Sequence, residues 1–412
     1  MNLTKGISIT LVSNLVFALS QWVIVAGLNH LGSVDVVGRY AYSITLAGFF
    51  LTVGQMGLRQ YLLSSTVTSE LLAQAFGARL ISSLIAFVCL AAYALLVVDD
   101  IYLYLVLVLG IAKWVENMTD IAHGFYQRNF KITHIAWSRT SRSLLTPVLF
   151  LSVFYYSSNI YYACAALIGA WLLLFVLFDK ASFIFQPQRQ VNFRLVSQLL
   201  KKAFPLGVTS VLVLLAVSLP LFILAEVSSE TAVGQYASVF YFVTAASLIL
   251  QSVLQVLSPI IVRHLSDNEF LRVRRLIKQS YWLALSYGIC GVIIAVAIGE
   301  WVLNFVYGPQ YIGLGYLAVL AAVLNGALAL QAVGGIMLTA HGVFNFQMFA
   351  MIISVIVSAI SGYFAIQVFG IAGAFYAGIV TALVNAVLFG IRVLKETHTY
   401  EKLQSLAYHQ ST

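Results

Sequence analysis

Charged residues are scarce in this sequence. Aspartate, glutamate, lysine and arginine make up 9% of its 412 residues, whereas hydrophobic residues make up 61%. The mean hydropathy is +0.95, and a soluble domain of this length cannot bury so much apolar surface, so a lipid bilayer must surround much of the chain. Because the apolar runs are continuous and do not alternate with polar residues, they favour membrane-spanning helices over a β-barrel.

Cysteine and the signatures of enzyme active sites are scarce as well. The three cysteines, Cys89, Cys164 and Cys290, lie in separate apolar runs and have the spacing of neither a metal site nor a disulfide framework. The sequence contains no G-x-x-x-x-G-K phosphate loop, no nucleophile elbow and no catalytic dyad. We therefore expect a protein that is not an enzyme, does not use ATP directly and holds no cofactor or metal.

About twelve apolar runs are long enough to cross a bilayer as helices. The predicted spans are 7–29, 38–60, 78–97, 102–123, 141–157, 160–178, 205–226, 235–262, 281–299, 313–337, 346–367 and 372–391. The predicted fold class is therefore an all-α polytopic membrane protein.

The distribution of basic residues predicts the topology. The net charge is +8, and nearly every lysine and arginine falls in the segments that are cytoplasmic if the N-terminus is inside. Both termini of this multi-pass protein are then expected in the cytoplasm. The same distribution explains the positive charge without a nucleic-acid partner, and it makes membrane lipid a partner instead.

Two short passages occur twice and indicate a duplication. VGRYA at 37–41 recurs as VGQYA at 233–237, and AHGFYQ at 122–127 recurs as AHGVFN at 340–345. Six spans per half is an even number, so the halves are expected to be parallel repeats around a central cavity. The predicted domains are a six-helix bundle at 1–180, a cytoplasmic linker with an interfacial helix at 181–204, a second six-helix bundle at 205–394 and a cytoplasmic tail at 395–412. His123 and His341, one in each AHG passage, are predicted to cap cytoplasmic helix ends or to act as proton switches.

The fourth span carries a polar stripe. Lys113, Glu116, Asn117 and Asp120 are spaced i, i+3, i+4 and i+7, which places them on one face of a helix. A charge at mid-membrane costs at least about 2.5–3.5 kcal/mol, so these side chains must face partners or water. Lys113 and Glu116 are able to pair with each other, but that pairing leaves Asp120 without a partner. The stripe therefore favours a polar cavity.

Other spans carry stripes of mostly neutral residues, and the two halves differ in charge. The stripes are Thr10, Asn14 and Gln21 on the first span; Thr45, Gly48, Thr52, Gln55 and Arg59 on the second; and Thr244, Ser247, Gln251, Gln255 and Ser258 on the eighth. The VGxYA copies align Gln55 with Gln251 and Arg59 with Gln255. Such stripes serve either as glue between helices or as cavity lining, and their match in spans 2 and 8 favours a shared polar interior.

The whole chain resembles the lipid-linked oligosaccharide flippases. The resemblance lies in the repeated six-helix architecture and in three passages: VGRYAYSITLAGFFLTVGQMGLRQ, ETAVGQYASVFYF and VLNFVYGPQYIGLGYLAVLAAV. These flippases form the polysaccharide-export branch of the multidrug/oligosaccharidyl-lipid/polysaccharide (MOP) superfamily. The resemblance implies export of undecaprenyl-diphosphate-linked oligosaccharide repeat units across a bacterial inner membrane, by alternating access through a cationic cavity, for O-antigen-type polysaccharide.

The resemblance also suggests roles for the polar residues. Arg59 and Lys113 are expected to bind the diphosphate, because both donate charge-assisted hydrogen bonds. The amides expected to bind sugar hydroxyls are those of Asn14, Gln21, Gln55, Gln251 and Gln255. Glu116 and Asp120 are candidates for ion coupling, with proton or sodium left open. A glycan polymerase and a chain-length regulator are further candidate partners beside the lipid-linked oligosaccharide.

Three other functions stay open. One is the flipping of peptidoglycan precursors, although relatives with that function usually have more spans than this sequence predicts. A multidrug or cation antiporter of the same superfamily would be expected to have a predominantly acidic cavity, which Arg59 and Lys113 argue against. A membrane-embedded glycan polymerase would have a similar length and hydropathy, but it would want a large periplasmic loop with catalytic arginines. The short predicted outer loops and the internal repeat argue against that enzyme.

Overall fold

The computed structural model describes residues 3–63, 68–129, 131–179, 191–267 and 269–411, and within those ranges it contains helices and turns but no strand. The α-helices are α1 (Leu3–Leu31), α2 (Val34–Gln55), α3 (Leu58–Leu62), α4 (Ser69–Ala73), α5 (Ala75–Val97), α6 (Asp100–Arg128), α7 (Ile132–Ser157), α8 (Ile160–Leu174), α9 (Phe193–Val227), α10 (Glu230–Ser266), α11 (Phe270–Tyr307), α12 (Gly315–Ala340), α13 (Phe344–Phe369) and α14 (Ile371–Ser411). A π-helical turn, Phe175–Asp179, continues α8, and a 3-10 turn, Pro309–Tyr311, follows α11.

The helices confirm the predicted fold class. In the described part of the chain, 10 helical stretches are long and apolar enough to cross a membrane. Two further helices, α7 with 26 residues and α10 with 37, have comparable length and bring the number to about twelve. The protein is therefore an all-α polytopic membrane protein.

Several helices extend beyond their predicted ends. The predicted interfacial helix around residue 195 and the predicted seventh span form one continuous helix, α9. Helix α6 continues past His123 to Arg128, and α7 begins at Ile132 although its span was predicted from residue 141. Charged and polar residues that we expected in loops thus lie on transmembrane helices, where other side chains of the protein pair with them.

The second span is broken, contrary to the prediction of one helix over 38–60. Helix α2 ends at Gln55, Met56 and Gly57 have left-handed φ angles of 50° and 63°, and α3 begins at Leu58. A side chain at Gly57 would place its Cβ 2.6 Å from the backbone nitrogen of Gly207 on α9. Because the α9 backbone approaches so closely, only glycine fits at position 57 without strain. The break sets the direction of α3, which carries Arg59.

The chain forms two compact units. The first comprises Met1–Ser218 and Ser229–Ser238, and the second comprises Leu219–Ser228 and Val239–Thr412. The unit boundary therefore falls within α9 and α10. The predicted domain limits at 180, 204 and 394 stay predictions, and residues 181–190 of the predicted linker lie outside the described residues.

Helix α6 has a central place in the first unit, because α2, α3, α5 and α8 all pack against it. Leu105, Val106, Leu109 and Ile121 on α6 are almost fully buried among these neighbours. Burial of each such side chain stabilises the fold through close packing, because lipid is as apolar as the side chains themselves. The polar residues of α6 are thereby held by surrounding helices.

The two VGxYA passages contact each other within the first unit. A Cβ added to Gly38 would clash with the carbonyl oxygen of Glu230, and one added to Gly234 would clash with that of Val34. Each glycine thus lets the other helix approach its backbone, as small residues do in membrane helix pairs. The contact also carries an ion pair of 2.6 Å between Arg39 and Glu230. Arg39, near the start of α2, therefore has a partner within the protein.

Candidate functional site

Charged side chains from α3, α5, α6 and α7 meet in the first unit. Asp120 on α6 accepts a hydrogen bond from Arg59 on α3 at 2.9 Å and another from Arg79 on α5 at 2.9 Å. Arg59 also donates to the amide oxygen of Gln127 on α6 at 3.1 Å. The expectation that Asp120 lacks a partner was therefore wrong, because the break after α2 brings Arg59 to Asp120 and α5 brings Arg79.

Lys113 and Glu116 form the pair that their spacing permits. The Lys113 Nζ lies 2.8 Å from Glu116 Oε2, and the two side chains are 24% and 31% exposed. Gly48 on α2 lies opposite, where an added Cβ would be 3.8 Å from the Lys113 Cε. Because both side chains are partly accessible, a ligand can reach them, and either residue can release the other to bind it.

Asn117 joins three helices at the middle of the stripe. It accepts a hydrogen bond from Gln55 at 2.9 Å, and its amide nitrogen donates to the carbonyl oxygen of Leu51 at 2.8 Å and to Ser83 at 3.2 Å. Asn117 is 1% exposed, so these contacts satisfy an amide that would be costly to bury alone. This residue acts as glue between α2, α5 and α6.

Helix α7 contributes two arginines that the sequence reasoning missed. Arg139 donates to Asn14 on α1 at 2.7 Å and lies over the ring of Phe17, with its Cζ 4.5 Å from the ring centroid. Arg142 donates to Thr119 on α6 at 2.6 Å and lies over Trp171 on α8, 5.4 Å from the ring centroid. The sequence reasoning counted both among the cytoplasmic charges, because Arg139 precedes the predicted fifth span and Arg142 lies at its cytoplasmic end.

Asp179 forms a second acidic centre behind α6. It is fully buried at the end of the π-helical turn, accepts a hydrogen bond from Ser138 at 3.0 Å and lies 3.6 Å from Arg142. His123 lies 3.5 Å from Asp179 and 3.2 Å from Ser138. His123 therefore does not cap a helix end as predicted. His341 does, since it follows the last residue of α12 and its ring contacts the carbonyl oxygen of Met337 at 2.7 Å.

We call these ionised side chains the charged cluster. It comprises Arg59, Arg79, Lys113, Glu116, Asp120, Arg139, Arg142 and Asp179. Five of the eight are cations and three are carboxylates, so the cluster carries two positive charges in excess. The buried members are Arg79, Arg142 and Asp179, whereas Arg59 is 32% exposed and thus accessible to an anionic ligand.

The remaining predicted site residues are Gln21, Gln251 and Gln255. Gln21 lies half-buried on α1, the helix that carries Asn14. Gln251 and Gln255 lie on α10, but their side chains fall outside the described residues. Ser247, from the same stripe, donates to Asn325 on α12 at 3.2 Å and so serves as glue inside the second unit.

The second unit is neutral at the positions that match the stripe of α6. Gly334, which matches Glu116, packs against Phe389, and Leu338, which matches Asp120, is fully buried. A cavity of about 380 Å³ in this unit is lined mostly by small and apolar residues such as Gly291, Ala295 and Ala322. Such a lining fits an apolar group, and its described residues include no cation that could bind a phosphate. The charged cluster is therefore the candidate site for an anionic ligand.

Comparison with known proteins relates this architecture to sugar polymers. Residues 3–265 match the family described as polysaccharide biosynthesis protein. The capsular polysaccharide biosynthesis protein CapF of Staphylococcus aureus is 21% identical over 315 residues, which cover 75% of this chain and 78% of that protein. The family match, residues 3–265, includes every helix that contributes to the charged cluster.

Solved structures show the same fold. A multidrug resistance MATE family transporter of the MOP superfamily, in an inward-facing conformation, is similar with a TM-score of 0.74 and 13% identity, over 94% of this chain and 96% of that chain. A MOP superfamily transporter from Pyrococcus furiosus, whose binding pocket is described as reversed in polarity, has a TM-score of 0.62 and 12% identity over 96% of each chain. The resemblance seen in the sequence is thus confirmed for family and fold: the chain belongs to the polysaccharide biosynthesis protein family, and its fold is similar to that of MOP superfamily transporters.

Proposed function

We propose that the protein is a flippase that moves a lipid-linked oligosaccharide across the membrane for surface polysaccharide assembly. The observation that carries the proposal is the excess of cations in the charged cluster, with Arg59 and Lys113 partly exposed on membrane helices. Charged residues inside a membrane segment are costly and are kept where a polar substrate passes. The family and the CapF relative supply the connection to polysaccharide.

The proposed substrate is an undecaprenyl-diphosphate-linked repeat unit of O-antigen type, moved by alternating access. A diphosphate carries oxygen acceptors that match the guanidinium of Arg59 and the ammonium of Lys113. At these positions the diphosphate would replace Asp120 and Glu116 as the hydrogen-bond acceptors of the two cations. The lipid chain would stay in the bilayer, where its transfer to water is unfavourable.

The sugar part of the substrate requires neutral donors and acceptors. We propose that Asn14, Gln21, Gln55, Gln251 and Gln255 provide them. Asn14 and Gln55 already bind Arg139 and Asn117, so a sugar hydroxyl would use the remaining atoms of these amides or displace those contacts.

Ion coupling is proposed for Glu116 and Asp120, because each carboxylate lies at the accessible edge of the cluster and pairs with a cation that the substrate would compete for. Transport under an imposed proton or sodium gradient tests this role in Glu116→Gln and Asp120→Asn variants. Unchanged gradient dependence in both variants would reject it.

We propose that the protein lies in the bacterial inner membrane with both termini in the cytoplasm. We also propose a glycan polymerase and a chain-length regulator as its partners.

A cation antiporter is the second candidate function, because the solved relatives with this fold include a multidrug resistance transporter. Fold alone does not determine the substrate. The positive excess of the cluster favours an anionic substrate over a cationic drug, and the short predicted outer loops favour a transporter over a polymerase.

Complementation tests the proposal. A strain that lacks its repeat-unit flippase should regain surface polysaccharide when it expresses this protein, and Lys113→Ala and Arg59→Ala should each abolish that recovery. Lys278→Ala is the matched control, since Lys278 is an exposed cation near the start of α11 and should not affect export.

Each outcome has a distinct meaning, provided that immunoblots show equal amounts in the membrane. Absence of any recovery by the unaltered protein, in strains covering several repeat-unit structures, would contradict the flippase function. Full recovery by Lys113→Ala and Arg59→Ala would contradict the assignment of the site. Recovered resistance to cationic drugs without recovered polysaccharide would favour the antiporter.

A further inference from the structure

Two arginines share one carboxylate but differ completely in exposure. Arg59 and Arg79 each lie 2.9 Å from a different oxygen of Asp120. The Arg59 side chain is 32% exposed and that of Asp120 is 21% exposed, whereas Arg79 is fully buried. A ligand entering from the accessible side therefore reaches Arg59 and Asp120 but not Arg79.

The protein itself already uses one donor on each terminal nitrogen of Arg59. Its Nη1 donates to Asp120 Oδ1 and its Nη2 to the Gln127 amide oxygen at 3.1 Å. These two acceptors stand where phosphate oxygens would bind a guanidinium. A substrate anion must displace at least the carboxylate before it can bind Arg59 fully.

Arg79 has unused capacity to hold that carboxylate. Its Nη2 donates to Asp120 Oδ2 at 2.9 Å, whereas its buried Nε and Nη1 have no hydrogen-bond partner within the part of the chain that the structure describes. A buried guanidinium with unsatisfied donors strongly favours a nearby anion. Arg79 can therefore hold the Asp120 carboxylate in an ion pair after Asp120 has released Arg59.

We infer that Asp120 is an internal substitute for the substrate diphosphate at Arg59, and that Arg79 is the positioning residue that retains Asp120 when the diphosphate takes its place. This inference rests on the proposed function. It makes the Asp120 carboxylate a competitor of the substrate diphosphate for Arg59. An anion weaker than a diphosphate would fail to displace Asp120, so the exchange selects for the lipid diphosphate.

The exchange predicts that substitution of Asp120 and substitution of Arg79 have opposite effects on the affinity for the diphosphate. The apparent dissociation constant rises as the fraction of protein with a free Arg59 falls. Asp120→Asn removes the competing charge, so the diphosphate should bind more tightly. Arg79→Met leaves Asp120 to Arg59 alone, so the diphosphate should bind more weakly. If Asp120 and Arg79 merely supported Arg59, both variants would bind more weakly.

Binding of farnesyl diphosphate to the full-length protein in detergent provides the test, with farnesol as the uncharged comparison. We expect the unaltered protein to prefer the diphosphate and Arg59→Ala to lose that preference. The dissociation constant should fall at least about threefold in Asp120→Asn and rise at least about threefold in Arg79→Met. The double variant Arg79→Met/Asp120→Asn should bind at least as tightly as the unaltered protein, because the two opposite charges are removed together and Arg59 is free.

Asp179→Asn controls for a general gain of positive charge. It removes a carboxylate from the same cluster, but the cation that it releases, Arg142, is only 9% exposed. Equal tightening in Asp179→Asn and Asp120→Asn would overturn the inference, as would weakening in both Asp120→Asn and the double variant. The double variant decides the matter if Asp120→Asn fails to fold, because it leaves no buried charge without a partner. No preference for diphosphate in the unaltered protein would instead contradict the proposed function.

Discussion

Arg39 donates a hydrogen bond of 2.6 Å to Glu230, which joins residues 191 positions apart in the sequence. The pair lies beside a hydrogen bond of 2.5 Å from Thr231 to Asp35, so two charged or polar contacts link the start of α10 to α2. We expect Arg39→Glu to destabilise the folded protein by about 0.2–1 kcal/mol, as is usual for ion pairs of this exposure. The exchange Arg39→Glu with Glu230→Arg should restore stability, measured as the melting temperature in detergent. If the exchange variant melts below both single variants, the pair does not act through charge.

The glycines of the two VGxYA passages should not tolerate alanine. A Cβ at Gly38 or Gly234 would meet backbone atoms of the other passage, and backbone cannot move aside as a flexible side chain can. We expect Gly38→Ala and Gly234→Ala each to destabilise the protein by about 1–3 kcal/mol or more.

Gly169 on α8 provides the matched control, because nothing lies within 4 Å of a Cβ placed there. Gly169→Ala should instead stabilise its helix by about 0.5–1 kcal/mol, because alanine has the higher helix propensity. Thermal unfolding followed by tryptophan fluorescence compares the three variants. Equal melting temperatures would show that the crossing of α2 and α10 is looser than the glycines indicate.

Removal of the buried carboxylate of Asp179 should be severely destabilising. Asp179 is fully buried beside Arg142, and its loss would leave that guanidinium without its nearest carboxylate. We expect Asp179→Ala to lower the free energy of unfolding by about 3–5 kcal/mol. Asp179→Asn, which keeps an acceptor for Ser138 and Arg142, should cost less. Similar melting temperatures for Asp179→Ala and the unaltered protein would contradict a structural role for this ion pair.

Asn117 should matter more for stability than an equally buried amide elsewhere. Asn117→Leu would leave the Gln55 amide, the Leu51 carbonyl oxygen and the Ser83 hydroxyl without their shared partner, at a cost of about 1–3 kcal/mol. Asn385 is the control, since it is also 1% exposed but its amide oxygen has no hydrogen-bond partner among the described residues. Asn385→Leu should therefore cost less, and a reversed order would show that the contacts of Asn117 are replaced by others.

The face of α6 could be predicted because its spacing follows from helix geometry alone. Lys113, Glu116, Asn117 and Asp120 lie on that face, and the Lys113–Glu116 pair was among the alternatives that the sequence allowed. The partners of Asp120 could not be predicted. Arg59 reaches it through the left-handed turn at Met56 and Gly57, which packs against the α9 backbone at Gly207, a residue far away in the sequence.

The two arginines of α7 were missed for a different reason. Arg139 and Arg142 fall in a basic stretch, and counting charges by loop cannot distinguish a basic loop from a helix whose arginines are paired inside the protein. Their partners, Asn14 and Asp179, lie far away in the sequence. A useful sign was available in Arg79, a single cation at the start of an otherwise apolar helix, because an isolated charge in such a helix implies a partner.

The contact between Gly38 and Gly234 also constrains how this protein can evolve. After a duplication, one copy of a motif is usually free to drift while the other keeps the original role. Here each copy supplies the surface against which the other packs, so a larger residue in either passage disturbs both. The charges of the two halves were able to diverge, with Arg39 in one passage and Gln235 in the other, while the glycines at the contact remained. The two copies of the repeated passage thus form one helix–helix contact, and each copy supplies one side of it.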